Sequence, residues 1–227
     1  MAEADINATP FTESLCSHLN NLGASLLLAG NRRGAAQLFE GALAVARSAL
    51  PEQHLGRMWA VAASCLATTA CSQQTMDASR RVAAASNTFP YLIVSPILIP
   101  EHHDIPLHDR NLLQKATILF NMGITHQLDV PHCSEVPRLY HLATYALHDV
   151  PDSTATFTLA VALLNNAGVW CHANGEPEKG RSCMERIAEL IADEDEFSLD
   201  PSLSEQGILT NVRVMLGNEA TWATPAA

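Results

Sequence analysis

Three copies of one short pattern, Leu-x-Asn-x-Gly, constrain this chain more than any other feature. They are Leu19-Asn20-Asn21-Leu22-Gly23, Leu119-Phe120-Asn121-Met122-Gly123 and Leu164-Asn165-Asn166-Ala167-Gly168. Each lies in residues that recur at helical spacing: Leu15, Leu19, Leu22 and Leu26; Leu112, Lys115, Leu119, Met122 and His126; Leu159, Ala160, Leu163, Leu164 and Ala167. The first and third copies run into polar turns, Ala29-Gly30-Asn31 and Ala173-Asn174-Gly175-Glu176. Glycine there suits the left-handed residue that ends a helix, and Pro177 suits the first position of the next. Second helices are expected over about 32–49, 135–149 and 177–192. Their inner stripes are Ala35, Phe39 and Ala42; Val136, Tyr140 and Ala143; and Gly180, Met184 and Ile187. Gly23, Gly123 and Gly168 then allow the two helices of each pair to approach closely. The reading is a helical hairpin, repeated.

Between the first two units a further helical stretch is expected over about 54–86, through Trp59, Val61, Leu66 and Val82. A last helix is expected from the capping box Ser202-Leu203-Ser204-Glu205 through Ile208, Val212 and Met215. One segment breaks the helical pattern. From Thr88 to Pro100 the chain is β-branched, apolar and punctuated by Pro90, Pro96 and Pro100, so it reads as extended. Either it straps across neighbouring helices or it is an exposed docking strand. The domain reading is a disordered N-terminus (1–8), one helical domain (9–217) and a flexible tail (218–227). Within the domain the clearest units are 16–49, 116–149 and 161–192, with an extended insert at 88–107.

Composition narrows the function classes. Aromatics are 5% and charged residues 16%, against 48% hydrophobic residues, a balance that favours packed helices over disorder. Acidic residues outnumber basic ones 24 to 13, a net charge of -11. Nucleic-acid binders carry a basic stripe that replaces phosphate counterions. Here the adjacent basic pairs Arg32-Arg33 and Arg80-Arg81 stand alone and read as solvated helix surface. Neither nucleic acid nor a membrane is an expected partner. The acidic start lacks the features of a signal peptide, and the best apolar run, Phe89–Ile99, falls short of the ~20 residues that span a bilayer. An intracellular, cytoplasmic or nuclear protein is expected. Cys16, Cys65, Cys71, Cys133, Cys171 and Cys183 form no CxxC pair, and the ten histidines form no local ligand pairs beyond His132-Cys133 and Cys171-His172. No metal, cofactor or catalytic residue is therefore assigned.

Against this background the first unit resembles a tetratricopeptide (TPR) repeat. Asn21, Leu22-Gly23, Leu26, Gly30, Ala35, Phe39 and Ala42 fall at that family's spacing. The third unit keeps Asn166, Gly168 and Gly175 but has Gly180 and Met184 in place of the small and aromatic residues. The second keeps Asn121 and Gly123 and needs one extra residue to align Val136, Tyr140 and Ala143. The intervals from Gly23 to Gly123 and from Gly123 to Gly168 exceed the ~34-residue period of a tandem TPR array, so the array is degenerate. The layout also resembles a group of uncharacterised TPR-like proteins of diatoms. That likeness rests on Ser95-Pro96-Ile97-Leu98-Ile99-Pro100, Leu119–His126, Leu163-Leu164-Asn165-Asn166 and Asn211-Val212.

The resemblance implies an all-α fold of antiparallel hairpins stacked as a short α-solenoid, with one proline-punctuated strap at 88–107. It also implies a non-catalytic adaptor or scaffold that binds a protein or peptide partner on the concave face of its first helices. On that face would lie Asn20, Ala24 and Leu27, then Phe120, Ile124 and Gln127, then Asn165, Val169 and His172. The family's carboxylate clamp needs Lys and Arg where this chain has Asn20, Phe120 and Asn165. Two alternatives remain: a self-associating structural protein (a homo-oligomer), and an enzyme using His102-His103-Asp104 and His108-Asp109 within 102–109.

Overall fold

The computed structural model describes residues 10–47, 96–99, 106–192 and 207–217. These hold seven helices and no strand: α1 (Pro10–Leu28), α2 (Arg32–Ala46), α3 (Leu107–Asp129), α4 (Glu135–Leu147), α5 (Thr154–Ala173), α6 (Pro177–Ala192) and α7 (Ile208–Met215). The described fold is all-α. Three hairpins, α1/α2, α3/α4 and α5/α6, make its most extensive contacts. Between hairpins α2 and α1 pack on α3, α4 and α3 pack on α5, and α7 lies against α6.

Local chemistry accounts for each turn. Gly30 and Gly175 sit at φ 80 and 81, a left-handed geometry that a Cβ disfavours. Each closes its first helix with the same bond pair. Asn31 N–H donates to Leu26 O and Gly30 N–H to Leu27 O; Glu176 N–H donates to Cys171 O and Gly175 N–H to His172 O. This six-to-one plus five-to-two arrangement satisfies carbonyls that the helix end leaves open. Asn31 Oδ1 then accepts from Gly34 N–H at 2.9 Å and caps α2. Ser153 caps α5, its Oγ accepting from Thr156 N–H at 3.2 Å. Pro177 opens α6, and Pro137 sits in the first turn of α4, where a missing N–H breaks no helical bond.

The inner stripes of the second helices pack as read from the sequence. Ala35, Phe39 and Ala42 are buried in α2, Val136, Tyr140 and Ala143 in α4, and Gly180, Met184 and Ile187 in α6. Each faces a glycine of its partner helix. A Cβ on Gly23 would stand 2.8 Å from Phe39 Cε1, and one on Gly168 2.5 Å from Met184 Cε. At Gly123 the clash would be with the Tyr140 ring. The glycines therefore set the helix separation within each pair.

Four expectations are corrected. The second helical stripe is not the buried face of α3. Leu112, Lys115, Met122 and His126 are half-buried, whereas Ala116 through Asn121 are buried without a break. Helix α3 has α1, α2, α4 and α5 around it, so it buries more than one stripe. The last helix does not run continuously from Ser202, because Gly207 at φ 88 is left-handed and α7 starts only at Ile208. Arg32 is not simply solvated surface: it is half-buried, and its guanidinium donates to Leu128 O at 2.6 Å, tying the start of α2 to the end of α3. Finally, α5 is a 20-residue helix long and apolar enough by length and composition to cross a bilayer. Its apolarity goes into packing: Phe157, Leu159, Val161, Ala162 and Leu163 are core residues, and Asn165 and Asn166 are fully buried beside them.

The first helices start upstream of the units' expected limits, at Pro10, Leu107 and Thr154 rather than at 16, 116 and 161. The expected helix at 54–86, the termini 1–8 and 218–227, and the capping box at 202–205 lie outside the described residues.

Two glycine substitutions separate packing from backbone geometry. Gly123→Ala drives a methyl into Tyr140 and is expected to lower stability by ~1–3 kcal/mol through overpacking. Gly175→Ala meets no atom of the described residues within 4 Å, so its expected loss of ~1–2 kcal/mol is backbone strain. Gly175→Asn should recover part of that loss, since asparagine tolerates the left-handed region, whereas Gly123→Asn should be worse than Gly123→Ala. Urea unfolding midpoints at unchanged m-value measure both.

Candidate functional site

A buried amide costs free energy unless its donors and acceptors are paired, so fully buried asparagines mark where this fold has something to bind. Asn20, Asn121, Asn165, Asn166 and Asn211 are all 0% exposed. They fall into two groups on alternate helices.

The first group joins α1, α3 and the extended segment Pro96–Ile99. Asn121 Oδ1 accepts from Ile97 N–H at 2.9 Å, and Asn121 Nδ2 donates to Ile97 O at 2.8 Å. Asn21 repeats this two residues along, accepting from Ile99 N–H at 2.8 Å and donating to Ile99 O at 3.1 Å. Asn20 links the two: its Nδ2 donates to Ile97 O at 3.2 Å and to Asn21 Oδ1 at 3.1 Å, and its Oδ1 accepts from Asn121 Nδ2 at 2.9 Å. Ile97 and Ile99 thus present both main-chain groups to the helices, as alternate residues of a strand do to a neighbouring strand. Side-chain amides take the neighbour's place. Ile99 is buried, Pro96 and Ile97 are half-buried, and Leu98 is 56% exposed.

Of the two readings of the strap, packing holds for 96–99; its end differs from that expected, since Leu107 already belongs to α3. Flanking contacts brace the same helix pair. Gln114 Nε2 donates to Ser17 Oγ at 3.0 Å, and Arg110 pairs with Glu13 at 3.3 Å.

The second group has the same internal bonds. Asn165 Nδ2 donates to Asn166 Oδ1 at 3.2 Å, as Asn20 does to Asn21. Asn211 Nδ2 donates to Asn165 Oδ1 at 2.8 Å, as Asn121 does to Asn20. The amide that α7 donates to α5 thus matches the one that α3 donates to α1. The sequence signal was present, for Leu209-Thr210-Asn211 keeps the first part of the pattern, but Arg213 occupies the glycine position. Asn166 also bonds Tyr140, whose hydroxyl donates to Gln127 Oε1 at 2.7 Å. Burial pushes the Tyr140 pKa well above the usual phenol range, with the Asn166 bond opposing it.

Eight of the nine residues expected on an open concave face are buried within the chain: Asn20, Ala24, Leu27, Phe120, Ile124, Gln127, Asn165 and Val169. His172 is exposed. The asparagines act as internal bonding groups and the apolar members as core. Sequence reasoning missed the roles of Asn21, Asn121 and Asn166, whose recurrence was plain but without a ligand, and of Asn211, which falls outside the three full copies of the pattern.

Elsewhere, a cleft of about 240 Å³ lies between α4, α5 and α6, lined mainly by Tyr140, His141, Leu163, Leu164, Trp170 and Cys183. The Trp170 indole N–H is buried there with no hydrogen-bond partner among the described residues. Burial raises the thiol pKa of Cys171 and lifts that of Cys183 to about 11. Cys16 lies inside the α1/α2 hairpin, its thiol 3.6 Å from Ala42 O, and burial raises its pKa to about 12. Thiolate chemistry is thereby suppressed at all three. Among the described residues no three His, Cys, Asp or Glu side chains converge as a metal set. His132, one of the metal candidates, bonds Asn174 Oδ1 at 2.7 Å through Nδ1. His108 is exposed and Asp109 half-buried at the start of α3; His102, His103 and Asp104 lie outside the described residues.

No protein-family model, curated protein or solved structure matches this chain.

Asn121→Leu keeps the side-chain volume and removes both bonds to Ile97. It is expected to lower stability by ~1–3 kcal/mol, the penalty for unpaired buried groups. Hydrogen exchange locates the effect: the Ile97 amide loses protection while Ile99, still held by Asn21, keeps most of its own. A second expectation concerns pH. The Cys16 pKa is raised on folding, from 9.0 to about 12, so the unfolded chain releases this proton first. Stability from this group is complete below pH 9 and falls as pH rises from 9 towards 12. Urea midpoints at pH 8 and pH 10.5 should differ less in Cys16→Ala than in the wild type.

Proposed function

We propose that this chain is a non-catalytic protein-interaction module, a degenerate TPR-like array acting as adaptor or scaffold through the side formed by its first helices. The observation that carries this reading is the asparagine group of α1 and α3, whose five bonds to an extended segment all go to its main chain. Pairing of main-chain groups is how sheet edges bind peptides, with affinity from the backbone and selectivity from alternate side chains. Recurrence of the same internal bonds in α5 and α7 supports an array in which α1, α3, α5 and α7 are successive first helices. The net charge of -11 favours a neutral or basic protein partner over nucleic acid, in an intracellular setting.

The test is affinity capture of the full chain from native lysate, followed by hydrogen-exchange footprinting of the recovered complex. Protection is expected on α1, α3 and α5. Protection confined to α2, α4 and α6, or recovery of nothing except the chain itself, would overturn the reading, and the second result would favour self-assembly.

A further inference from the structure

The hydrogen bonds at Pro96–Ile99 define what the asparagine group accepts. Five bonds join Asn20, Asn21 and Asn121 to this segment, and all five go to the main chain of Ile97 and Ile99. The requirement is therefore an extended backbone with a free N–H at two positions two residues apart. Side-chain demands are lighter. Ile99 is the one buried side chain of the four, and Leu98 points to solvent. Ile99 joins the core and Ile97 packs against it, but every asparagine bond goes to groups that any non-proline residue possesses.

Emptying the site would leave the fully buried Asn20 and Asn121 amides short of partners, at a penalty that disfavours a vacant state. Exchange for another chain of the same conformation carries no such penalty. We infer that Asn20, Asn21 and Asn121 form a receptor for an extended peptide, that Pro96–Ile99 is its tethered resident, and that a protein partner enters by a proline-led aliphatic segment replacing that resident. This rests on the interaction role proposed above and specifies the partner's recognition chemistry. The resident is joined to α3 through residues 100–106, and a short tether of this kind presents its segment at effective concentrations of order millimolar. The partner thus competes against a built-in rival, which limits binding to segments with matching main-chain geometry.

The test uses the full chain and a labelled nine-residue peptide with the sequence of residues 93–101, followed by fluorescence anisotropy. Ile97→Pro removes the N–H that bonds Asn121 and so weakens the resident. The peptide is expected to bind folded Ile97→Pro at least about tenfold more tightly than wild type, because the tethered competitor is handicapped. The same peptide N-methylated at both isoleucines that follow its first proline, which lacks the two donors, should not bind. Adding Asn121→Leu to the Ile97→Pro background should abolish binding of the unmodified peptide. Binding of neither peptide by folded Ile97→Pro, or equal binding of both, overturns the inference. Should Ile97→Pro not fold, the wild type decides. Excess unmodified peptide should then strip exchange protection from the resident Ile97 and Ile99 amides while α1 and α3 keep theirs, and unchanged protection overturns the inference. A first-helix footprint in captured complexes together with no peptide exchange would refute this recognition chemistry and leave the interaction role standing. Peptide exchange without any captured partner would do the reverse.

Discussion

Asn121 sits where three parts of the chain meet, and the pairing of its amide holds them in register. Its oxygen and nitrogen close on both main-chain groups of Ile97, while its second N–H reaches Asn20 on α1. A buried carboxamide has few ways to satisfy donors and acceptor together. The arrangement thus specifies the offset of α3 against α1 as well as the position of the strap. Apolar contact between the helices is far less selective, since a slide by one turn exchanges one aliphatic neighbour for another. The Gln114–Ser17 and Arg110–Glu13 contacts near the start of α3 act in the same sense, and Arg32 of α2, bonded to Leu128 O near the end of α3, fixes α2 against the same helix.

Around this network the hairpins are built by a different rule. Glycine on each first helix meets a large side chain on the second, Phe39, Tyr140 or Met184. The ring or thioether fills the space that a Cβ would otherwise occupy, so contact between the helices is dense where the backbones are closest. Tyr140 serves both rules. Its ring covers Gly123 and lies 6.1 Å from the Phe120 ring, while its hydroxyl enters the polar network through Gln127 and Asn166. A single residue thereby links the packing of one hairpin to an asparagine of the next.

The hairpins, their turns and their inner stripes were readable because their causes are local. Gly30 and Gly175 end helices through their own φ, and Pro177 starts one through its missing N–H. Ala35, Phe39 and Ala42 share a face by helical spacing alone. The expected exposure of those first-helix positions failed for a physical reason. Positions such as Ala24, Leu27 and Ile124 were placed on an open face by the resemblance to the family, whereas in this chain they are buried. The stripe drawn on α3 failed likewise, because a helix with packing partners on several sides has no single apolar face to reveal itself by periodicity.

The sequence by itself determined that this chain forms paired helices, where the first and third pairs turn, and which small residues let them touch. Each of those follows from chemistry acting over a few residues. Tertiary structure alone decided what the recurring asparagines are for. Their partners are the N–H and C=O of Ile97 and Ile99, groups identical at nearly every residue and so invisible in a sequence, brought from 24 to 78 positions away. Only a fold that sets α1 beside α3 and runs an extended segment along both can bring those amides together.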